Sequence, residues 1–165
     1  MKRLIVVRHA KAELLRYDIT DFQRNLKKRG INDSDLISEK LKEKEIHPDL
    51  IISSKAHRAL QTANHFADSL DYPREAIDQQ DFLYDGFTTH DFLDHLQSKE
   101  DSIQTVMVFG HNPSIEYLAF NLLDKFYGEV PTCTAIGIDF DVASWKDIEV
   151  RTGKLSLYEF PKKYK

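Results

Sequence analysis

Three stretches of the chain place groups able to do chemistry directly after apolar runs. Arg8-His9 follows Leu4-Ile5-Val6-Val7, His57-Arg58 comes shortly after Ile51-Ile52-Ser53-Ser54, and Gly110-His111-Asn112 follows Val106-Met107-Val108-Phe109. Each run reads as a buried strand, and a charged pair at its carboxyl end cannot continue into the core. In open α/β sheets, ligands bind in the crevice outside those ends. If the three strands are parallel neighbours, Arg8, His9, Arg58 and His111 converge there. Two arginines offer planar forks that clamp phosphoryl oxygens bidentately. Backbone N–H groups at the helix start after Ser54 would add donors. Phosphoryl transfer needs mainly positioning and charge neutralisation, and two imidazoles can divide what remains. One attacks phosphorus and the other donates a hydrogen bond to its oxygens. The attacking imidazole must be neutral, and neighbouring arginines hold its pKa down. The same arginines would repel a metal cation, and neither His9 nor His111 has an acidic or histidine partner at a ligand spacing.

The elements that must position these groups alternate. Leu4 to Val7 is the first strand, and Ile31 to Lys44 a helix with apolar residues at Ile31, Leu36, Ile37 and Leu41, bounded by Gly30 and Pro48. Asp49 to Ser53 is the second strand. Ala56 to Leu70 is a helix with Ala59, Leu60, Ala63, Phe66, Ala67 and Leu70 on one stripe. Asp78 to Gly86 reads as an irregular loop, and Asp91 to Leu96 as a short helix capped by Thr88 or Thr89. Gln104 to Phe109 is the third strand. Pro113 to Phe126 is a helix with Phe120 and Phe126 on its core stripe, as Phe66 and Phe92 are on theirs. Thr134 to Phe140 and Lys154 to Phe160 alternate as antiparallel or edge strands do. The pattern is one domain, residues 1–165, of α/β class with a mixed sheet.

Composition excludes several partners. The 165 residues carry a formal net charge of −4, so no overall basic excess points to nucleic acid. The local clusters Lys27-Lys28-Arg29 and Lys162-Lys163 read as solvated surface. A single cysteine, Cys133, cannot form an intrachain disulfide and reads as a small core residue. No stretch approaches the roughly 20 apolar residues of a membrane span. A cytoplasmic location with no membrane partner is the expectation.

The ordered segments resemble the histidine phosphatase superfamily, also called phosphoglycerate mutase-like, and most closely its SixA-type phosphohistidine phosphatases. Arg8-His9-Ala10-Lys11-Ala12 is similar to its signature, and Arg24-Asn25-Leu26-Lys27-Lys28-Arg29-Gly30 to its R-x-L-x-x-x-G segment. Ser53 to Ala63 is similar to S-S-x-x-x-R-A-x-Q-T-A, and Val108 to Pro113 to the third strand with its G-H-N-P turn. The resemblance implies a three-layer α/β/α sandwich with a mostly parallel sheet and no metal or organic cofactor. It implies His9 as the nucleophile, forming a phosphohistidine intermediate. Arg8, Arg58 and His111 complete the phosphate pocket, with Asn112 beside them as a further candidate phosphate contact. Superfamily members usually carry an acid in the loop after the second long helix, where Asp81 is the better match and Asp85 the alternative. Phosphohistidine leaves as imidazole, whose reference pKa is about 6.5, and so needs little from such an acid.

The implied reaction is hydrolysis of phosphohistidine in proteins, because the short intervals between pocket residues hold no insertion large enough for a lid. A phosphatase or mutase acting on small phosphomonoesters, a non-catalytic phosphate-binding module and a metal-dependent hydrolase are the rival readings. Phe82, Tyr84 and Phe87 could line a substrate entrance, and His47, His57, His65, His90 and His95 read as structural.

Overall fold

The computed structural model describes residues 1–165. Its centre is a six-stranded sheet: β1 (Lys2–Arg8), β2 (Leu50–Ser54), β3 (Asp78–Gln80), β4 (Thr105–Gly110), β5 (Ala135–Phe140) and β6 (Lys154–Glu159). Their spatial order is β3-β2-β4-β1-β5-β6. The first four are mutually parallel, β5 runs against them, and β6, antiparallel to β5, runs in their direction again. Alternation along each strand divides the core. Leu4, Val6, Val106 and Val108 face one side, where α3 (Thr89–Gln97) and α4 (Ser114–Leu122) pack through Phe92, Leu96, Leu118 and Leu122. Ile5, Val7, Met107 and Phe109 face the other, covered by α1 (Lys28–Glu43) and α2 (His57–Ser69) through Ile37, Leu41, Ala63 and Phe66. The result is a three-layer α/β/α sandwich with a mixed, mostly parallel sheet. No helix is long and apolar enough to cross a membrane.

Several sequence-based expectations need correction. The expected loop at Asp78 to Gly86 begins with the edge strand β3 and continues as a 3-10 turn over Asp81–Leu83. An edge strand this short and polar has no apolar alternation to reveal it. Of the two strands expected to be antiparallel or at an edge, β5 is interior and antiparallel to both neighbours and β6 forms the edge, as expected. Gly30 does not precede α1 but lies in its first turn. Ile31 and Phe120 are exposed at 38% and 46% rather than core. On α4 the buried stripe is Ile115, Leu118, Ala119 and Leu122, which turns Phe120 outward beneath Arg151, 4.8 Å away.

Gly30 decides how the chain leaves β1. Lys27 donates its backbone N–H to the Lys11 carbonyl at 2.9 Å, and Glu13 donates to the Asn25 carbonyl at 2.9 Å. This short antiparallel ladder, with Ala12 bridged to Leu26, pins the segment after His9 against the start of α1. A Cβ on residue 30 would overlap the Lys11 carbonyl oxygen and sit 3.0 Å from the Lys11 nitrogen. Gln61 and Thr62 of α2 complete the staple. The Gln61 side-chain carbonyl accepts from the Leu26 N–H at 2.8 Å, and the Thr62 hydroxyl accepts from the Ala10 N–H at 3.0 Å. Gly30→Ala is therefore expected to destabilise the fold by about 1–3 kcal/mol, the usual range for overpacking. A urea midpoint equal to that of the wild type would contradict this close approach.

Candidate active site

The register of three parallel strands builds the site. Arg8 lies opposite Gly110, and the His9 N–H donates to the Gly110 carbonyl at 3.0 Å, so the ends of β1 and β4 coincide. Strand β2 flanks β4 on its other side, with Ser53 opposite Phe109. Arg8, His9, Arg58, His111 and Asn112 line one cavity of about 270 Å³, to which Lys11, Arg24 and Thr132 also contribute. Five of the six residues expected at the site are thus together. The sixth, Asp81, is not among the lining residues: its side chain is 82% exposed and lies 3.3 Å from Lys55. Asp85 is also at the surface.

His9 is 8% exposed, and its ring is held by a single contact, Nδ1 to the Ala10 carbonyl at 2.8 Å. A carbonyl can only accept, so Nδ1 carries the proton and Nε2 keeps its lone pair. Burial, with the charges of Arg58 and Arg8 added, outweighs the Ala10 hydrogen bond and lowers the His9 pKa to about 4. The ring of His111 stands 5.3 Å from that of His9. Its Nε2 meets the Ser54 hydroxyl at 2.9 Å. That hydroxyl accepts from the Ala56 N–H at 3.2 Å and has no acceptor for its own hydrogen other than His111 Nε2, which places the His111 proton on Nδ1. Burial, together with His9 and Arg58, pushes the His111 pKa to about 3. Both imidazoles are neutral near pH 7, in opposite roles: His9 presents a lone pair and His111 a donor. Because the Ala56 amide is engaged by Ser54, it is not among the donors expected at the start of α2.

The arginines are equally prepared. Arg8 gives one N–H to the Val130 carbonyl at 3.0 Å, which also accepts from the Asn112 amide at 3.0 Å. Arg58, 5% exposed, reaches the backbone carbonyl of Asp21 at 2.8 Å and its carboxylate at 3.0 Å. Arg8 Nε, Arg58 Nε and His111 Nδ1 are buried with no partner. Buried donors are normally paired, and three unpaired ones on residues lining a single cavity fit a ligand rich in oxygen acceptors. No group of three His, Cys, Asp or Glu side chains is placed to hold a metal ion.

Asp21 and Ser54 adjoin this site although the sequence gave their side chains no role there, and Tyr84, expected at a substrate entrance, joins them. Asp21 also accepts from Arg24 at 2.9 Å and from the Tyr84 hydroxyl at 2.7 Å. The Tyr84 ring stands edge-on to His111 at 5.6 Å, so Tyr84 does flank the entrance. Phe82 and Phe87 instead pack on the core. His57, nearest to the pocket in sequence, is exposed and edges against Phe22 at 5.9 Å. Only the Ser54 contact had a signal in the sequence, a hydroxyl at a strand end facing another strand end.

A cationic pocket with one imidazole lone pair, at the carboxyl ends of a parallel sheet, suits phosphoryl-transfer chemistry. Residues 4–82 match the model of the histidine phosphatase superfamily (branch 1). This match spans just under half of the chain. No curated protein matches the sequence itself. Among solved structures, the protein histidine phosphatase SixA complexed with tungstate superposes with a TM-score of 0.84 at 21% identity, covering 99% of both chains. A mycobacterial glucosyl-3-phosphoglycerate phosphatase superposes with a TM-score of 0.67 at 14% identity, covering 97% of this chain and 98% of that one. At such identities the likeness speaks for the fold, so substrate identity has to be argued from the residues.

Ser54→Ala removes the group that fixes the His111 tautomer and leaves a buried nitrogen unpaired. Supporting contacts of this kind are typically worth about 10- to 100-fold in activity. The expected loss is in kcat, with Ser54→Thr restoring it. Equal activity in Ser54→Ala and wild type would contradict the assignment.

Proposed function

We propose that the chain hydrolyses phosphohistidine in proteins through a covalent phosphohistidine on His9. The observation that carries this reading is the His9 tautomer, an Nε2 lone pair held in a pocket with unpaired donors on Arg8, Arg58 and His111. The cavity is shallow and polar, with exposed Leu14 at its edge, which suits a phosphorylated side chain offered on a protein surface. The protein histidine phosphatase SixA, which shares this fold, lends support.

Arg8 and Arg58 hold the phosphoryl oxygens, and the N–H on His111 Nδ1 supplies a further donor, with Asn112 beside them. His9 Nε2 attacks in line, forming the new P–N bond as the bond to the leaving group breaks. The positive charge growing on the His9 ring is stabilised through Nδ1–H by the Ala10 carbonyl. A water oxygen then attacks phosphorus, the electron pair returns to Nε2, and both water protons leave on dihydrogen phosphate. None of these steps calls for a group the chain does not supply. Hydrolysis of small phosphomonoesters is the second reading, favoured by the same pocket and by the fold of the glucosyl-3-phosphoglycerate phosphatase.

Wild-type protein incubated with chelator and a panel of phosphohistidine protein, aryl phosphate and phosphoglycerates separates these readings. Preferential turnover of the phosphohistidine protein, abolished in His9→Ala, is expected. Preference for phosphoglycerates, or restoration of activity only by added metal, would overturn it. The pH dependence follows from His9. Protonation removes its lone pair, so kcat/KM for an aryl phosphate should hold on the acid side and fall as pH drops through about 4. An acid limb near the ordinary imidazole value of 6.5 would contradict the environment described for His9.

A further inference from the structure

We propose that Asp21 selects the leaving group, favouring phosphoramidates that leave from a cationic ring over phosphate esters that leave as an oxyanion. The proposal rests on His9 acting as the nucleophile and deepens the phosphohistidine reading.

Three contacts fix this carboxylate beside Arg24 and Arg58, which line the pocket, and a fourth holds its backbone. Its oxygens accept from Arg58, Arg24 and Tyr84, while its backbone carbonyl takes the second Arg58 N–H. Partial burial raises its pKa, but the hydrogen bonds from Tyr84 and Arg58 outweigh this and lower it to about 2. Asp21 therefore has no proton to give near neutral pH and cannot act as a general acid. What it offers is a fixed negative charge, with its side chain still 42% exposed. A carboxylate there opposes part of the positive field that binds phosphate. It is a liability for the pocket unless something cationic arrives with the phosphoryl group.

The surroundings suit a flat cation. Phe22 and Tyr84 meet edge to face at 5.1 Å, and Tyr84 continues to His111. An aromatic wall thus runs from Asp21 to the imidazole beside the phosphoryl site. Aromatic faces and a carboxylate together stabilise a planar cationic ring. Phosphohistidine becomes one when its non-phosphorylated ring nitrogen takes a proton from solvent. His9 Nε2 then forms its bond to phosphorus, the substrate P–N bond breaks, and the electron pair passes to the leaving nitrogen. The departing imidazole is neutral and keeps the proton on its other nitrogen. Asp21 accepts from that N–H and holds the ring in its reactive form. An ester gains nothing from the same contact, because charge building on its leaving oxygen is repelled by the carboxylate. A substrate bearing a second anionic group near its phosphate is repelled as well.

The test compares kcat/KM for phosphoimidazole and phenyl phosphate in wild type, Asp21→Asn and Asp21→Glu. Asn keeps an oxygen for the arginines, and Glu keeps the charge, so a purely structural role would move both substrates together. Asp21→Asn is expected to shift the phosphoimidazole-to-phenyl phosphate ratio toward the ester by about tenfold or more, the worth of a hydrogen bond to a charged group. Asp21→Glu is expected to hold the ratio closer to wild type. Parallel loss of both activities in Asp21→Asn, or an unchanged ratio, overturns the role of Asp21 while leaving the phosphohistidine reading intact. A wild-type chain that hydrolyses phenyl phosphate and not phosphoimidazole overturns both.

Discussion

Two guanidinium groups and two imidazoles line one cavity, where a protonated ring would be repelled by both arginines. That repulsion is the constraint on which the rest of the site depends. Desolvation and the arginine charges force both rings to be neutral, and neutrality gives His9 a lone pair and His111 a donor. Buried charge is tolerable only with partners of good geometry. The partners are backbone carbonyls at Ala10, Val130 and Asp21, one serine hydroxyl and one carboxylate. A phosphoryl group entering the cavity completes the set by pairing the donors left over.

The sheet makes this gathering obligatory. With Arg8 opposite Gly110 and Ser53 opposite Phe109, a change of register by one residue would turn every core side chain of a strand to the wrong face. The apolar alternation that divides the two cores therefore also fixes where His9, Arg58 and His111 meet. Behind the first strand, Gly30, Gln61 and Thr62 tie the descending loop to two helices, so His9 rests on a braced turn. The sequence segments that look like a signature are partly this brace. Their other residues, Arg8, His9, Lys11, Arg24, Arg58, His111 and Asn112 among them, line the cavity.

The three strand ends that build the site were legible because buried parallel strands are continuous apolar runs, and a charge ending such a run is conspicuous. What escaped the sequence was set by tertiary contact. Asp78 to Gln80 carries no apolar alternation and pairs only through its backbone. Ile31 and Phe120 fit a helical stripe to within one turn, and only packing decides which side of the stripe faces the sheet. Asp21 lies far from Arg58 and Tyr84 along the chain, in a polar segment without periodicity, so nothing in residue type marks it as part of the site. Asp81 shows the reverse. Motif position suggested it, while the structure pairs it with Lys55 at the surface.

The central claim is that His9 carries the phosphoryl group between substrate and water. The direct measurement is rapid acid-free quenching during turnover, followed by peptide mapping of the phosphorylated chain. The account predicts an acid-labile, alkali-stable phosphoryl group on the peptide containing His9, formed and lost fast enough to lie on the reaction path. A phosphoryl group found on another residue, or turnover with no phosphorylated enzyme while His9→Ala retains full activity, would contradict it.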